Sequence, residues 1–319
     1  MLDNLIYSVN AIFPIFILVI IGVVLGNKNK LDGQFLETAD WLVFKIALPI
    51  MLFNEIAGCG SDEPIDWKLV LFLIVSVTLA FSLTAVIVRL TVRDASKRGA
   101  LIQGTCRSNI AILGVPLAVN LFGDVGGRAI AIAMPFVIIM FNVYSVVILS
   151  LFSASADYKL SRKKMLGILK NIATNPLIIG VLLGCLFLVC DISLPLFASK
   201  TLSYLSGLTT PLALISLGAN FKVESLHGRI GYAMIGAIGK TVVLPLIAIT
   251  AAVLVGFRGA SLGVVLICFG APTAVTSYIM AKKMNNDHEL AAQILLLSTL
   301  ICVVTIFIGI YTLKNLGLI

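Results

Sequence analysis

The chain has 319 residues, of which 60% are hydrophobic and only 12% are charged, with a net charge of +8. A soluble domain has about 45–50% apolar and about 25% charged residues. No water-soluble core could bury so much apolar surface, so the composition indicates an integral membrane protein. The basic excess is accounted for by loops that face anionic membrane lipids, and nucleic acid is not expected as a partner.

Ten apolar runs are bounded by charges or by glycine and proline clusters, and each could cross a bilayer, which takes about 20 helical residues. They lie at about 5–26, 37–57, 67–89, 100–122, 128–152, 171–190, 195–220, 230–256, 260–281 and 289–313. The first run lacks the basic start and the cleavage site of a secretory signal, so we interpret it as a span. The sequence predicts an all-α integral membrane protein with ten transmembrane helices.

Lysine and arginine are distributed unevenly between the predicted loops. If the N-terminus lies outside, fifteen of the 23 basic residues fall in cytoplasmic loops, five fall in external loops and three fall within spans. Cytoplasmic loops of membrane proteins are enriched in lysine and arginine. The distribution therefore predicts a multi-pass protein of the cell (inner) membrane with both termini outside.

The two sets of five spans resemble one another. Three residues of the first set recur 162 positions later: Pro14, Gly22 and Pro49 as Pro176, Gly184 and Pro211. "GVPLA" at 114–118 recurs as "GAPTA" at 270–274, 156 positions later. An odd number of spans per set forces the sets into opposite orientations. We therefore predict two inverted five-helix repeats, 1–154 and 170–319, joined by a cytoplasmic linker at 155–169.

A Gly-x-Pro sequence lies near the middle of span four and of span nine, at Gly114 and Pro116 and at Gly270 and Pro272. Proline inside a helix removes a backbone hydrogen bond and costs about 3 kcal/mol. Interrupted helices at corresponding places are typical of secondary transporters, whose site lies near the bilayer midplane. We predict that helices four and nine are broken at these prolines and cross there. Proline kinks tolerated in bilayer helices are the alternative.

A crossing of this kind would bring two helix starts together. The amides of Leu117–Val119 and of Thr273–Val275 would then point at one place, and such positive helix ends suit an anion. The freed carbonyls of the first half-helices could hold a cation or water.

Two basic residues are predicted deep in the membrane, Arg107 in span four and Lys240 in span eight. No acidic residue is predicted at comparable depth, because Asp40 and Glu55 lie near the ends of span two. An uncompensated cation in the membrane costs several kcal/mol, so an anionic substrate is expected. In the alternative, Arg107 reaches the surface or binds carbonyls, and Lys240 binds hydroxyl groups. Neutral polar residues near the breaks complete the predicted site: Ser108, Asn109, Thr273, Thr276 and Ser277.

Four stretches carry a resemblance to a known family: "LVFKIALPIMLF", "NIAILGVPLA", "PLALISLGANF" and "APTAVTSYIMAKKM", in spans two, four, seven and nine. On these residues the chain resembles the auxin efflux carrier family, specifically its short-loop bacterial members, which are associated with malate- or malonate-like acids. The resemblance implies a scaffold of helices 1, 2, 6 and 7 at a homodimer interface and a moving transport domain of helices 3–5 and 8–10. It also implies that Asn109, Pro116 and Pro272 line the site. The Asp/Lys pair of plant carriers in span three is reduced here to Lys68, so no coupling ion carries over.

The predicted function is transport of small organic anions by alternating access, without a cofactor or a metal. A cation/proton antiporter of related fold is an alternative, but it would need a deep carboxylate pair, which span five lacks. A non-transporting membrane receptor is another. An enzyme is not expected, because the sequence shows no paired carboxylates, metal cluster or nucleophile with a base.

Overall fold

The computed structural model describes residue 14 and residues 17–58, 66–153, 174–220 and 229–319, and every regular element in these ranges is a helix. The predicted linker at 155–169 and most of the first half of span one lie outside the described residues. The first seven helices are α1 (Ile17–Asn27), α2 (Gly33–Leu42), α3 (Leu48–Ala57), α4 (Trp67–Thr91), α5 (Ala95–Cys106), α6 (Ile110–Leu151) and α7 (Pro176–Val189). They are followed by α8 (Leu196–Gly207), α9 (Thr209–Ala219), α10 (Ile230–Ile238), α11 (Leu244–Val255), α12 (Gly259–Gly270), α13 (Thr276–Lys283) and α14 (His288–Asn315).

Each predicted span overlaps one or two of these helices. Within the ranges that the structure describes, five helical stretches are long and apolar enough to cross a membrane: Trp67–Thr91, Leu121–Leu151, Leu196–Ala219, Ile230–Val255 and His288–Asn315. The shorter helices α1, α7 and α12 are also apolar. The all-α membrane class is therefore confirmed, with several candidate spans, while the inverted orientation of the two sets stays a prediction.

Prolines shape two of the spanning segments. Pro49 and Pro245 each occupy the second position of a helix that directly follows a π turn, at Val43–Ala47 and at Gly239–Val243. Proline cannot donate to the carbonyl four residues earlier, and a wider turn accommodates the missing bond. The π turns thus join α2 to α3 and α10 to α11 as single segments.

Extended backbone interrupts predicted spans four and nine. Helix α5 ends at Cys106 and α6 begins at Ile110, with Arg107 at φ −73° and ψ 132°. Helix α12 ends at Gly270, and Ala271 follows at φ −61° and ψ 148°. The second interruption lies where it was predicted, because the residue before a proline is driven out of the helical conformation.

The break that was predicted at Gly114–Pro116 is in the wrong place. The backbone of α6 is helical through these residues, and the interruption lies about two turns earlier, at 107–109. There the Asn109 N–H donates to the Pro272 carbonyl oxygen at 2.8 Å, so the extended segments satisfy each other's polar backbone groups. The amides of Leu117–Val119 consequently lie inside a helix and not at its start.

Helix α6 bends sharply at Gly123, whose backbone has φ 61° and ψ −147°. Glycine adopts this conformation without the steric cost that a side chain would impose. The bend lies just after the end of predicted span four and near the start of the long apolar stretch Leu121–Leu151, which contains predicted span five.

Helices α1–α3 pack with α7–α9, and we call this set the scaffold group. Glycine allows the closest approaches: a Cβ added at Gly180 of α7 would lie 2.4 Å from the Pro49 carbonyl oxygen, and one at Gly22 of α1 would lie 2.3 Å from that of Ile215. Small residues permit such backbone contact between membrane helices. Helices α4–α6 pack with α10–α14, and we call this set the crossing group because it contains both interruptions.

Candidate functional site

A cavity of about 30 Å³ lies between the two groups beside both interruptions, and it has room for about two water molecules. The scaffold group contributes Met51 and Thr210 to its lining. The crossing group contributes the remaining lining residues: Arg107, Ser108, Asn109, Ile110, Ile138, Phe141, Asn142, Ala274, Val275 and Thr276. Four of the predicted site residues, Arg107, Ser108, Asn109 and Thr276, are thereby brought together.

The Arg107 side chain is fixed at the cavity and is only 4% exposed. Its Nη2 donates to Asn142 Oδ1 at 2.9 Å, and its Nη1 contacts the Met280 sulfur. Asn142 is held in turn, since its Nδ2 donates to the Ile138 carbonyl at 2.8 Å. Glu55 of α3 interacts electrostatically with the guanidinium, so the prediction that Arg107 lacks an acidic partner is wrong. Glu55 belongs to the scaffold group, whereas Arg107 belongs to the crossing group.

Buried polar atoms at the interruptions have no hydrogen-bond partner within the described ranges: Asn109 Nδ2, Thr276 Oγ1 and Ser277 Oγ. Leaving such a group unpaired costs about 1–3 kcal/mol, and proteins pair most of them. Asn109 and Thr276 line the cavity, so a molecule bound there would satisfy both.

Two helix starts adjoin the cavity. Helix α6 begins at Ile110 and α13 at Thr276, and neither start has a side-chain cap. The first amides of a helix lack intrahelical partners and carry a partial positive charge. The described lining residues include no acidic side chain. Arg107 and these helix ends direct positive charge toward the cavity, an arrangement that suits an anion, while the Glu55 carboxylate interacts with the same guanidinium.

Lys240 lies elsewhere. It is fully buried, and its Nζ donates to the Phe269 carbonyl at 3.0 Å, in the last turn of α12. A lysine at a helix C-terminus complements the negative end of the dipole, so the amine stabilises the interruption in span nine. Lys240 is not among the residues that line the cavity. Its partner is a main-chain carbonyl, and not the hydroxyl group that was considered from the sequence.

Pro272 and Thr273 hold the crossing together. The Pro272 carbonyl accepts from the Asn109 N–H, as described above. Thr273 Oγ1 donates to the Gly104 carbonyl at 2.5 Å, and the Thr273 N–H donates to Ser298 Oγ at 3.1 Å. These residues connect α5, the broken segment of span nine and α14, and so they position the lining without facing the cavity.

The remaining predicted residues lie in helices around the cavity. Leu117 is buried in the core, Gly270 is the last residue of α12, and Pro116 lies in the helical backbone of α6. A Cβ at Gly114 would approach the side chains of Ile110 and Ile130, so this glycine serves packing.

Sequence reasoning missed three residues with a role at the cavity, namely Asn142, Met51 and Thr210. Asn142 had a usable signal, because it is an amide within the long apolar run of span five, and polar side chains there are expensive. Met51 and Thr210 gave no signal, since their types are common in membrane helices.

A second polar cluster joins the two groups at Asp40. This residue was predicted to lie near the end of its span, but its side chain is fully buried. Its Oδ2 is 2.5 Å from Lys282 Nζ, and its Oδ1 accepts from Ser216 Oγ at 2.5 Å. Asp40 thus lies near the end of span two, as the sequence predicted, but it is shielded from solvent within the protein. The shielding comes from α9 and α13, which pack against α2.

Apolar helices with two interrupted segments that meet at a buried polar cavity are typical of membrane transport proteins. A family described as "Membrane transport protein" matches residues 7–310. The chain belongs to this family, which includes the auxin efflux carriers, and the resemblance stated above is confirmed. The protein is accordingly a multi-pass membrane transporter, and transporters of this family are generally not enzymes.

Three relatives cover nearly the whole chain. An uncharacterized transporter of Methanocaldococcus jannaschii is 26% identical over 299 residues, which is 89% of this chain and 93% of the relative. One of Methanothermobacter thermautotrophicus is 22% identical, over 94% of this chain and 96% of its own. A Rhizobium meliloti protein named "Putative malonate transporter" is 22% identical, over 95% of both chains.

Proposed function

We propose that the protein carries small organic anions, carboxylates of the malonate or malate kind, across the membrane by alternating access. The observation that carries the proposal is the buried Arg107 at a cavity whose other polar lining includes the unpartnered donors of Asn109 and Thr276. A carboxylate would accept from all three. The malonate name of the Rhizobium meliloti relative supports the same substrate class.

The proposed movement is a displacement of the crossing group against the scaffold group. The cavity of about 30 Å³ lies between the two, and it is smaller than a dicarboxylate. The groups must therefore separate at one membrane side to admit the substrate and at the other side to release it. In this proposal the scaffold group also forms the homodimer interface.

We further propose that the two five-helix sets are inverted repeats. The ends of α5 and α12 at the two interruptions, Cys106 and Gly270, lie 164 residues apart. This separation is close to the 162 residues between the prolines of spans one and six and of spans two and seven. The "GVPLA" and "GAPTA" stretches, 156 residues apart, do not share this spacing, which is consistent with the displaced break in span four.

Uptake by proteoliposomes tests the substrate class. Radiolabelled malonate, malate and other organic acids are offered with imposed proton or sodium gradients, beside an amino acid and an organic cation. We expect accumulation of one or more dicarboxylates, competition among them, and none for the cation, because Arg107 and two helix starts favour negative charge. Protein-free liposomes are the control. Transport of the cation but of no carboxylate would contradict the proposal.

Single cysteines test the topology in a background without the six native cysteines. Lys30→Cys between α1 and α2 should react with a membrane-impermeant thiol reagent only from the cytoplasmic side, and Ser193→Cys between α7 and α8 only from outside. Both positions are exposed, so access depends on the side of the membrane. The expectation follows from the charge bias of the loops. Reaction of both from one side would contradict the topology and with it the inverted repeats.

A further inference from the structure

Asn142 of α6 presents its amide oxygen to Arg107 in a fixed orientation. The side chain lines the cavity and is only 2% exposed, and its Oδ1 accepts from Arg107 Nη2 at 2.9 Å. Its Nδ2 donates to the Ile138 carbonyl oxygen, one turn earlier in the same helix, at 2.8 Å. A carbonyl oxygen can only accept, so this bond requires the NH2 group of Asn142 and directs the amide oxygen toward the guanidinium.

The guanidinium of Arg107 is held at both terminal nitrogens. Nη2 binds Asn142, and Nη1 contacts the Met280 sulfur of α13. A thioether sulfur is a weak acceptor, so Asn142 supplies the stronger of these two contacts. A binding group whose rotamer is fixed by neighbouring hydrogen bonds loses less entropy when a ligand binds, and it recognises the ligand more precisely.

The charge around the guanidinium gives the amide a second role. Glu55 of α3 is an acidic side chain that already interacts with Arg107. Asn142 adds an acceptor without adding a second negative charge. A carboxylate at position 142 would hold the guanidinium as well, but it would compete with an anionic substrate for it. The neutral amide thus fixes the position of Arg107 and preserves its attraction for an anion.

We propose that Asn142 is a positioning residue, which orients the Arg107 guanidinium for the substrate carboxylate and leaves its charge available because the amide is neutral. The inference rests on the proposed function for the nature of the substrate. Asn142 acts through Arg107, so its effect on binding depends on the side chain at position 107.

Two substitutions of Asn142 separate orientation and charge from packing. Asn142→Leu removes both hydrogen bonds at similar volume, and malonate affinity should fall at least about fivefold. Asn142→Asp keeps the shape but competes with the substrate, and affinity should fall at least about 30-fold. The variant closer in shape to asparagine should therefore bind malonate more weakly, which is the reverse of the order that lost packing would give. Affinity is measured from the stabilisation of the purified protein by malonate.

The Arg107→Lys background tests whether Asn142 acts through the guanidinium. An ammonium group is a point charge on a flexible stem and has no planar fork to orient. Asn142→Leu should therefore change malonate affinity by less than about twofold in this background, because the two residues are coupled. This comparison also covers the case that Asn142→Asp does not fold.

Asn220→Leu is the matched control. Asn220 Nδ2 donates to the Ser216 carbonyl oxygen one turn earlier at 2.7 Å, as Asn142 does to Ile138, and Asn220 is not among the residues that line the cavity. Its replacement should leave malonate affinity within about twofold of the parent protein.

The outcomes distinguish this inference from the proposed function. Parent-like affinity in Asn142→Asp, or equal losses from Asn142→Leu with arginine and with lysine at position 107, would overturn the positioning role while carboxylate transport stands. Failure of every carboxylate to bind the parent protein would contradict the proposed function and the inference together.

Discussion

Replacing Arg107 by methionine should reduce carboxylate uptake roughly 30- to 5,000-fold, while the protein still folds and inserts. Removing one member of a buried charged contact costs about 2–5 kcal/mol. Methionine retains the length of the apolar stem but cannot donate to a carboxylate, and no other cationic side chain is among the described lining residues. Uptake of radiolabelled malonate by proteoliposomes, at equal amounts of reconstituted protein, measures the loss.

Two further substitutions make the Arg107 result specific. Arg107→Lys keeps the charge but loses the planar fork of donors, so it should recover only part of the uptake. Arg258→Met removes the same charge from an exposed arginine that bonds the carbonyls of Val253 and Phe257, away from the cavity, and uptake should stay near normal. If Arg107→Met transported carboxylates like the parent protein, Arg107 would not bind the substrate.

Asn109→Ala should weaken substrate affinity about 5- to 150-fold, which corresponds to the loss of one donor worth about 1–3 kcal/mol. The crossing itself should survive, because it uses the Asn109 N–H and not the side chain. Asn109→Asp should bind more weakly still, since it sets a negative charge against the anion. Affinity is measured from the stabilisation of the purified protein by malonate and from the concentration dependence of uptake.

Asn54→Ala serves as the matched control for Asn109. Asn54 is an amide of α3 whose Nδ2 lies 3.3 Å from Ser206 Oγ, and it is not among the residues that line the cavity. Its removal should leave malonate affinity within about twofold of the parent protein. The substitution removes one hydrogen bond between neutral side chains that do not line the cavity, so it should change the binding free energy little. Equal losses in Asn54→Ala and Asn109→Ala would indicate a general effect on folding and not a lost ligand contact.

The helices were predictable because membrane helices follow a simple rule of length and apolarity. The sequence predicted segments at 67–89 and 289–313, and the structure has helices at Trp67–Thr91 and His288–Asn315. The break near Pro272 was also predictable, since proline constrains the residue before it whatever surrounds them. These helices and this break depend on residues that are close together in the chain, and such local effects can be predicted from the sequence.

Features that depend on distant partners could not be predicted. The break in span four follows the hydrogen bond from Asn109 to Pro272, which no pattern near Pro116 encodes. The burial of Asp40 depends on Ser216 and Lys282, which are distant in sequence. Lys240 donates to the main-chain carbonyl of Phe269. Because every residue has such a carbonyl, the sequence does not indicate which one the lysine binds.

The hydrogen bond between the Asn109 N–H and the Pro272 carbonyl joins the two broken segments through main-chain atoms. Such a bond does not depend on which side chain occupies position 109, provided that the residue is not proline. Side chains that line the cavity can therefore be replaced while the main-chain contact between the two broken segments is kept. Substrate specificity in such a family can therefore change through single substitutions, each of which gives a protein that still folds.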